Sequence, residues 1–418
     1  MQQTSIILFD DTRARDWHPF TLTRPAGEML YGALITRERM ERVFGAPVVR
    51  HLSSAPSLIG FDEEGAPPVS DFSDAPSEGD RLFLLSRAIP DWSERGGWAK
   101  PSGGGPLSMA GDIVGWYAPA GTPAPEAEFF DSPLDWSGET PAAEIRGRIV
   151  EDVWHLIAGT AEQITLDVDA MHGGTDSSSL PTGVSHWGRN SLFVHPTARL
   201  EPGCAIDTSN GPVWIDEGAV VRAFTRLCGP AYIGRNSHLL GGSVECVSIG
   251  PVCRIRGEIS STICLGYTNK QHDGHMGHAY LGRWVNLGAE TTNSDLKNNY
   301  GSIRIWTPTG EKNSGEVKLG CLLGDHVKTG IGLLLNTGTV VGAGSNLYGA
   351  EMPPKFVPPF SWGTGEGLVE FRLDKFLEVA ERAMARRDVE ISESTRAQLG
   401  RAFEDGRRQT RTGSGTDV

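Results

Sequence analysis

Ile215, Val221, Leu227, Ile233 and Leu239 stand six residues apart, and four positions after each comes a small residue: Ala219, Thr225, Ala231, Ser237 and Ser243. Neither a two-residue nor a 3.6-residue period sorts aliphatic and small residues into two such lanes. A period of six suits short parallel strands wound into a solenoid. The aliphatic lane stacks inward from coil to coil, and the small lane lets the chain turn each corner. The pattern returns at Leu281/Leu287 and at Leu335/Val341/Leu347. Glycine marks where this architecture stops: residues 1–26 contain none, whereas 229–349 are dense in it. Two architectures in one chain are expected, and 418 residues are too many for one ordinary core.

In the first half, SIILF (5–9) reads as a buried strand, followed by a polar loop and a helical pattern from about Ala26. Strand, loop and helix in that order open many α/β nucleotide-binding domains. RLFLLS (81–86) and GDIVGWYA (111–118) read as further strands, and 148–171 as a helix leading to the solenoid. After the coils, PPKFVPPFSWG cannot continue a sheet. Phe371, Phe376, Leu377, Ala380 and Met384 then fall on one helical face. A second helix is expected over 392–408 and a disordered tail over 410–418. The expected domains are therefore 1–185, 186–364 and 365–418.

Bulk properties exclude several partners. The formal charge of -14 argues against a general nucleic-acid or membrane-surface binder, because phosphate-rich surfaces repel it. No N-terminal stretch joins a basic flank to an apolar run, and no apolar segment approaches spanning length, so a cytoplasmic protein is expected. Six cysteines without a CxxC pair read as small buried thiols in a reducing compartment.

The lane pattern resembles the hexapeptide-repeat, left-handed parallel β-helix family, mostly acyltransferases that work as trimers with active sites between subunits. The resemblance covers roughly 193–362, interrupted by a longer loop around 298–316. With the α/β opening ahead of it, the chain is similar to two-domain sugar-1-phosphate nucleotidyltransferases, of which the bifunctional N-acetylglucosamine-1-phosphate uridylyltransferase/glucosamine-1-phosphate acetyltransferase is best known. FDDTRARDWHPFTLTRP, NKQHDG, NLGAETTNSDLKN, GDHVKTG, NTGTVVG and PPKFVPPFSWG carry the likeness. It implies an α/β, Rossmann-like nucleotidyltransferase domain, then a left-handed parallel β-helix ending in a C-terminal helix. It also implies a homotrimer that couples an NTP to a sugar 1-phosphate with Mg2+, and acetylates an amino-sugar phosphate from acetyl-CoA.

One departure concerns the first loop. Such enzymes cradle a triphosphate with glycines after the first strand, because glycine lets backbone N–H groups close around phosphates. This loop has none. Arg13, Arg15 and Arg24 are the available substitutes, since guanidinium forks bind phosphate bidentately, and Asp10 or Asp11 could hold Mg2+. The same residues also fit an ordinary ion-paired turn, which leaves open an acyltransferase whose N-terminal domain only binds.

HDGHMGHAYLG (272–282) holds His272, His275 and His278. HxxHxxH could supply three metal ligands, as in hexapeptide-repeat lyases of the carbonic anhydrase type, but no cysteine or acid partner stands at a recurrent ligand spacing. Acyl transfer to an amine instead needs a base near neutrality and donors for an oxyanion, with no enzyme nucleophile. In the bifunctional family the catalytic histidine opens a segment running without gaps to VNIGAGT. Laid on VNLGAET (285–291), that pattern implies His272 as the base, with His275 and Asn286 as sugar contacts. Asp295 stands where the family has an asparagine near the acetyl group, and could instead raise the pKa of His272. His278 matches no functional position and reads as a solvated turn residue. Lys270 and Lys297 could meet the sugar phosphate, and Lys318 and Lys328 the phosphates of coenzyme A.

Overall fold

The computed structural model describes residues 4–136, 138–173 and 180–413. The chain divides into two compact units. One comprises Met1–Met29, Leu34–Val153 and Ser392–Asp405, and the other Leu30–Ala33, Trp154–Ile391 and Gly406–Val418.

The first unit is built on a seven-stranded sheet. An inner strand, Ser5–Phe9, lies parallel to Val48–Leu52 and to the central strand Arg81–Leu85, and Asp112–Ala118 runs antiparallel to the last of these. Ile6, Ile7, Leu8 and Phe9 are all fully buried, as a strand covered on both faces requires. The three strands read from the sequence are therefore present. The helix expected from Ala26 is only a short turn at Ala26–Glu28, and the helix proper is Thr36–Phe44. Gly32 interrupts it with φ +68°, where any Cβ would stand 2.4 Å from Asp167 Oδ2.

The second unit is the solenoid, and the parallel β-helix expected from the six-residue lanes is what forms. Strands pair in parallel with the equivalent strands one coil on; one column extends over nine strands, and a second nine-stranded sheet joins two shorter columns through the long strands His238–Glu245 and Arg254–Ser260. Ile215, Val221, Leu227, Ile233 and Leu239 are all fully buried in one continuous core. Of the small lane, Ala219, Thr225, Ala231 and Ser237 are buried, whereas Ser243 is only half-buried.

The period breaks after Leu239. Val221 pairs with Leu239, Leu239 with Ile255 and Ile255 with Lys270, so successive coils along this column span 18, 16 and 15 residues. The shortening is shared by two corners: Leu239 to Val244 and Val244 to Ile249 are five residues each, and Ile255 to Ile259 and Ile259 to Cys264 are four and five. The first of these corners carries a stack of glycines in the left-handed region: Gly242 (φ +102°), Gly257 (+104°) and Gly274 (+125°). A Cβ on Gly242 would lie 2.3 Å from Gly257 O, and one on Gly274 would lie 2.4 Å from Thr291 O. Only glycine lets the coils approach so closely there.

The interruption around 298–316 is a hairpin, Arg304–Thr307 paired antiparallel with Gly310–Asn313. The helix expected over 148–171 starts later, at Trp154, and breaks at Gly159 into Trp154–Ala158 and Thr160–His172. Both pieces belong to the solenoid unit, so that unit begins well before residue 186. Leu30–Ala33 joins it too, with the Tyr280 hydroxyl donating to Leu30 O and accepting from Leu30 N.

The C-terminal helix is Leu373–Ala385, with Phe376, Ala380 and Met384 buried. The second helix, Glu393–Gly413, runs past residue 408, so 410–413 are helical where disorder was expected; 414–418 lie outside the described residues. All six cysteines are free thiols, five of them buried and Cys246 half-buried. No described helix is long and apolar enough to cross a membrane.

Candidate functional site

His272, His275 and His278 occupy three successive places on one coil. Strand Asn269–Lys270 precedes a short corner, strand His275–Gly277 follows it, and the chain turns again at His278 with φ +46°. The same left-handed conformation occurs at Ser261 and Trp284, so it reflects the corner geometry of the coil rather than strain reserved for catalysis.

Two of the three histidines face a carboxylate: His275 Nδ1 lies 3.4 Å from the exposed Glu258, and His278 has the closer and more enclosed partner. Its Nδ1 lies 2.7 Å from Asp295 Oδ2, with both side chains about one-fifth exposed. Asp295 sits one coil further on, and Gly277 is what lets the groups converge. A Cβ there would stand 2.6 Å from both Asp295 Oδ2 and His275 Nε2. The hydrogen bond from His278, working against burial and aided by the charges of His278, His275 and Lys318, holds the Asp295 carboxyl below its ordinary value. Asp295 thus stays an anion and fixes the Nδ1 proton on His278, leaving Nε2 with its lone pair free when the ring is neutral.

The corner is held from inside by Asn293, which is 1% exposed in the inward column. Its Oδ1 accepts from Gly277 N (2.9 Å) and its Nδ2 donates to Gly277 O (2.9 Å). A cavity of about 200 Å3 opens beside His278, lined also by Lys318, Glu316, Cys246, Trp154 and Thr160. Burial, with the adjacent Glu245, raises the Cys246 thiol above its ordinary value, so it is not an activated nucleophile.

His272 lies elsewhere. It is exposed at the glycine-stacked corner, its carbonyl accepting from Lys270 Nζ (2.6 Å). Asp295 therefore serves His278 and not His272, and His278 is not the solvated bystander expected. The ungapped count from VNLGAET back to His272 stays inside one coil, since Asn269 pairs with Asn286, and carries no information on which histidine Asp295 reaches.

Lys270 is corrected as well. It occupies the inward column, 1% exposed, and its ammonium serves the carbonyls of Arg256 and His272 rather than a sugar phosphate. Burial pushes its pKa down to about 8. Between about 8 and 10.5 the unfolded chain keeps a proton that the folded chain has lost, so stability there rises with pH. Relative to Lys270→Met, the wild type should gain about 1–3 kcal/mol between pH 8 and 10 in urea titrations. A pH-independent difference between the two proteins contradicts this.

Lys297 donates to Ser302 O (2.6 Å) and so ties down its own loop. Asn286 accepts from Asn269 Nδ2 (2.8 Å) on another face of the coil, beside Lys328 and away from the lining of the His278 cavity. Lys318 and Lys328 line different cavities. Of the expected acyl-transfer residues, the structure brings together His275, Asp295 and Lys318. It adds His278 and Asn293, the second of which lane-counting through NSDLKN would have shown to point inward. Among the described residues, no three His, Cys, Asp or Glu side chains are grouped as metal ligands would be.

In the N-terminal unit, Asp10 is fully buried. It accepts from Ser86 Oγ and Ala26 N and lies 2.9 Å from His51 Nε2. Burial pushes its carboxyl up, but His51 and these hydrogen bonds outweigh that and hold it low. Asp11 caps the helix Thr12–Arg15 and takes Arg87 on both oxygens. With their oxygens engaged in this way, neither carboxylate fits as an open Mg2+ ligand, contrary to the expectation. Arg24 is buried against Glu63 (2.8 and 3.1 Å), and Arg15 is paired with Asp131. Arg13 pairs with Glu151 but keeps its side chain 44% exposed. The ion-paired turn is the arrangement that forms.

A nucleotidyltransferase-like α/β unit joined to a hexapeptide-type β-helix defines the class. Residues 6–176 match the sugar nucleotidyl transferase family, which bears out the resemblance over this part of the chain. The bifunctional sugar-1-phosphate nucleotidylyltransferase/acetyltransferase of Sulfurisphaera tokodaii is 27% identical over 174 residues, 40% of this chain and 42% of that protein. The bifunctional protein GlmU of Acaryochloris marina is 28% identical over 200 residues, 46% of this chain and 38% of that one. The chain thus spans about four-tenths of the curated relatives it matches. Among solved structures, an Arabidopsis UDP-N-acetylglucosamine acyltransferase aligns with 48% of this chain and 80% of its own at 15% identity and TM-score 0.20. The β-helix assignment rests on the strand register of this chain.

Proposed function

We propose that the chain is a transferase of nucleotide-sugar synthesis whose β-helix moves an acetyl group from acetyl-CoA to the amine of an amino-sugar phosphate. The carrying observation is the His278–Asp295 pair at 2.7 Å beside an open cavity and Lys318. The amine nitrogen attacks the thioester carbonyl, forming the C–N bond as the C=O electrons move to oxygen. His278 Nε2 takes the amine proton, and the tetrahedral intermediate collapses with cleavage of the C–S bond. Coenzyme A leaves as a thiolate and is protonated from the imidazolium, which returns His278 to its starting state. Asp295 supports the transient imidazolium and holds the tautomer. At about 200 Å3 the cavity takes the reacting ends and not a whole coenzyme, so a trimer with active sites between subunits, in a cytoplasmic setting, belongs to the same reading.

The family match over 6–176 supports nucleotidyl transfer by the N-terminal unit, joining an NTP to a sugar 1-phosphate. The internal pairing of Asp10, Asp11 and Arg24 favours a second reading, in which this unit binds a nucleotide or sugar phosphate without reacting. Pyrophosphate release by the full chain, assayed with a panel of NTPs and sugar 1-phosphates in added Mg2+, separates the two. Release that falls in Arg13→Ala supports catalysis, and none across the panel supports the binding module.

A further inference from the structure

A second cavity, about 340 Å3, opens between the helix Leu373–Ala385 and the β-helix face that bears Asn269 and Asn286. Its lining shares no residue with the His278 cavity. Arg254 and Lys328 contribute from the coils, and Arg382, Arg386 and Arg387 from the helix and the residues just after it. No acidic residue lines it, in a chain whose formal charge is -14. Positive charge is concentrated here against the trend of the whole protein, which costs free energy unless an anion compensates it.

The local chemistry is that of incomplete pairing. Arg254 spends its guanidinium on the carbonyls of Asn236 and Cys253, and Lys328 donates to Trp284 O. Arg382 meets Glu378 at 3.3 Å while staying largely exposed. Among the described residues, Arg386 and Arg387 have no carboxylate partner, and Arg387 Nε is buried without a hydrogen bond. The same arginines bear on a neighbouring imidazole. Burial, with Arg254, Arg222, Arg199 and Arg387, drives His238 down to about 4. Burial alone takes Lys328 down to about 8. One wall carries an aromatic stack, Tyr267 on Trp284 with centroids 4.1 Å apart, beside the amides of Asn269 and Asn286.

We propose that this cavity binds the polyphosphate of a nucleotide, with Arg386 and Arg387 supplying the free guanidinium donors and Arg254 and Lys328 the floor. Guanidinium forks suit phosphoryl oxygens, and the amides and aromatic wall suit a ribose or base. The site does not depend on the acyl-transfer reading, because direct binding tests it.

The experiment is isothermal titration of the full-length protein with inorganic pyrophosphate, ADP and UDP, in the wild type and in Arg386→Ala/Arg387→Ala. Arg386 is exposed and Arg387 half-buried just past the end of the helix, and a thermal melt checks that the variant folds. Binding of at least one ligand is expected, weakened about tenfold or more in the double variant and by added salt. Pyrophosphate binding as tightly as ADP or UDP assigns recognition to the phosphates alone, whereas tighter nucleotide binding adds the aromatic wall. No binding of any of the three, or binding unchanged in the folded double variant, overturns the proposal.

Discussion

His278→Ala should lower acetyl transfer by about 10²–10⁴-fold, the usual contribution of a positioned general base, while His272→Ala stays near wild type. The two residues are six apart on one coil, and residue type alone does not separate them. The structure does, because only His278 has a carboxylate on Nδ1 and a cavity beside it. Asp295→Asn probes the partner. An amide keeps the shape but carries no charge to support the imidazolium, so kcat should fall less than in His278→Ala, with KM little changed and the pH–rate profile displaced. Equal losses in His272→Ala and His278→Ala would return the base to the exposed corner.

Asn293→Leu should destabilise the β-helix by about 2–5 kcal/mol, read as the midpoint shift in urea unfolding, and depress acetyl transfer beyond what the residual folded fraction explains. The substitution nearly conserves volume. It removes the acceptor for the N–H and the donor to the C=O of Gly277, which is buried. Each stranded group costs about 1–3 kcal/mol, and they directly precede His278 in the chain. Asn293→Asp is the informative companion: it can still accept from Gly277 N but offers no N–H to Gly277 O. A Leu variant as stable as wild type would show that the corner is held by something other than this amide.

What the sequence revealed follows from which signals are local. The inward lane from Ile215 to Leu239 was legible because burial inside a narrow coil leaves little choice of side chain, and all five residues are fully buried. The register beyond Leu239 was not. Glycine corners absorb residues without altering composition, so a coil of 15 reads like one of 18 until the pairing of Ile255 with Lys270 is known. That loss hides the inward place of Lys270, which therefore reads as a phosphate ligand. The His278–Asp295 pair is hidden for another reason, being a contact between residues 17 apart in sequence on successive coils.

The N-terminal loop failed for a different reason. Asp10, Asp11, Arg13, Arg15 and Arg24 are the residue types a nucleotide site needs, but their partners His51, Ser86, Arg87, Glu63 and Asp131 are remote in sequence. Only the fold shows that these charges are already spent on one another. The basic cavity was hidden in the same way, since Arg386 and Arg387 look like ordinary helix-end charges until the face bearing Arg254 is placed against them.

The most direct measurement is thiol release from acetyl-CoA by the full chain, with a panel of amino-sugar phosphates as acceptors, in wild type and His278→Ala. The account predicts release that depends on one of the acceptors, yields its N-acetyl product by mass spectrometry, and is lost in His278→Ala. Acceptor-dependent release that persists at the wild-type rate in a folded His278→Ala protein contradicts it.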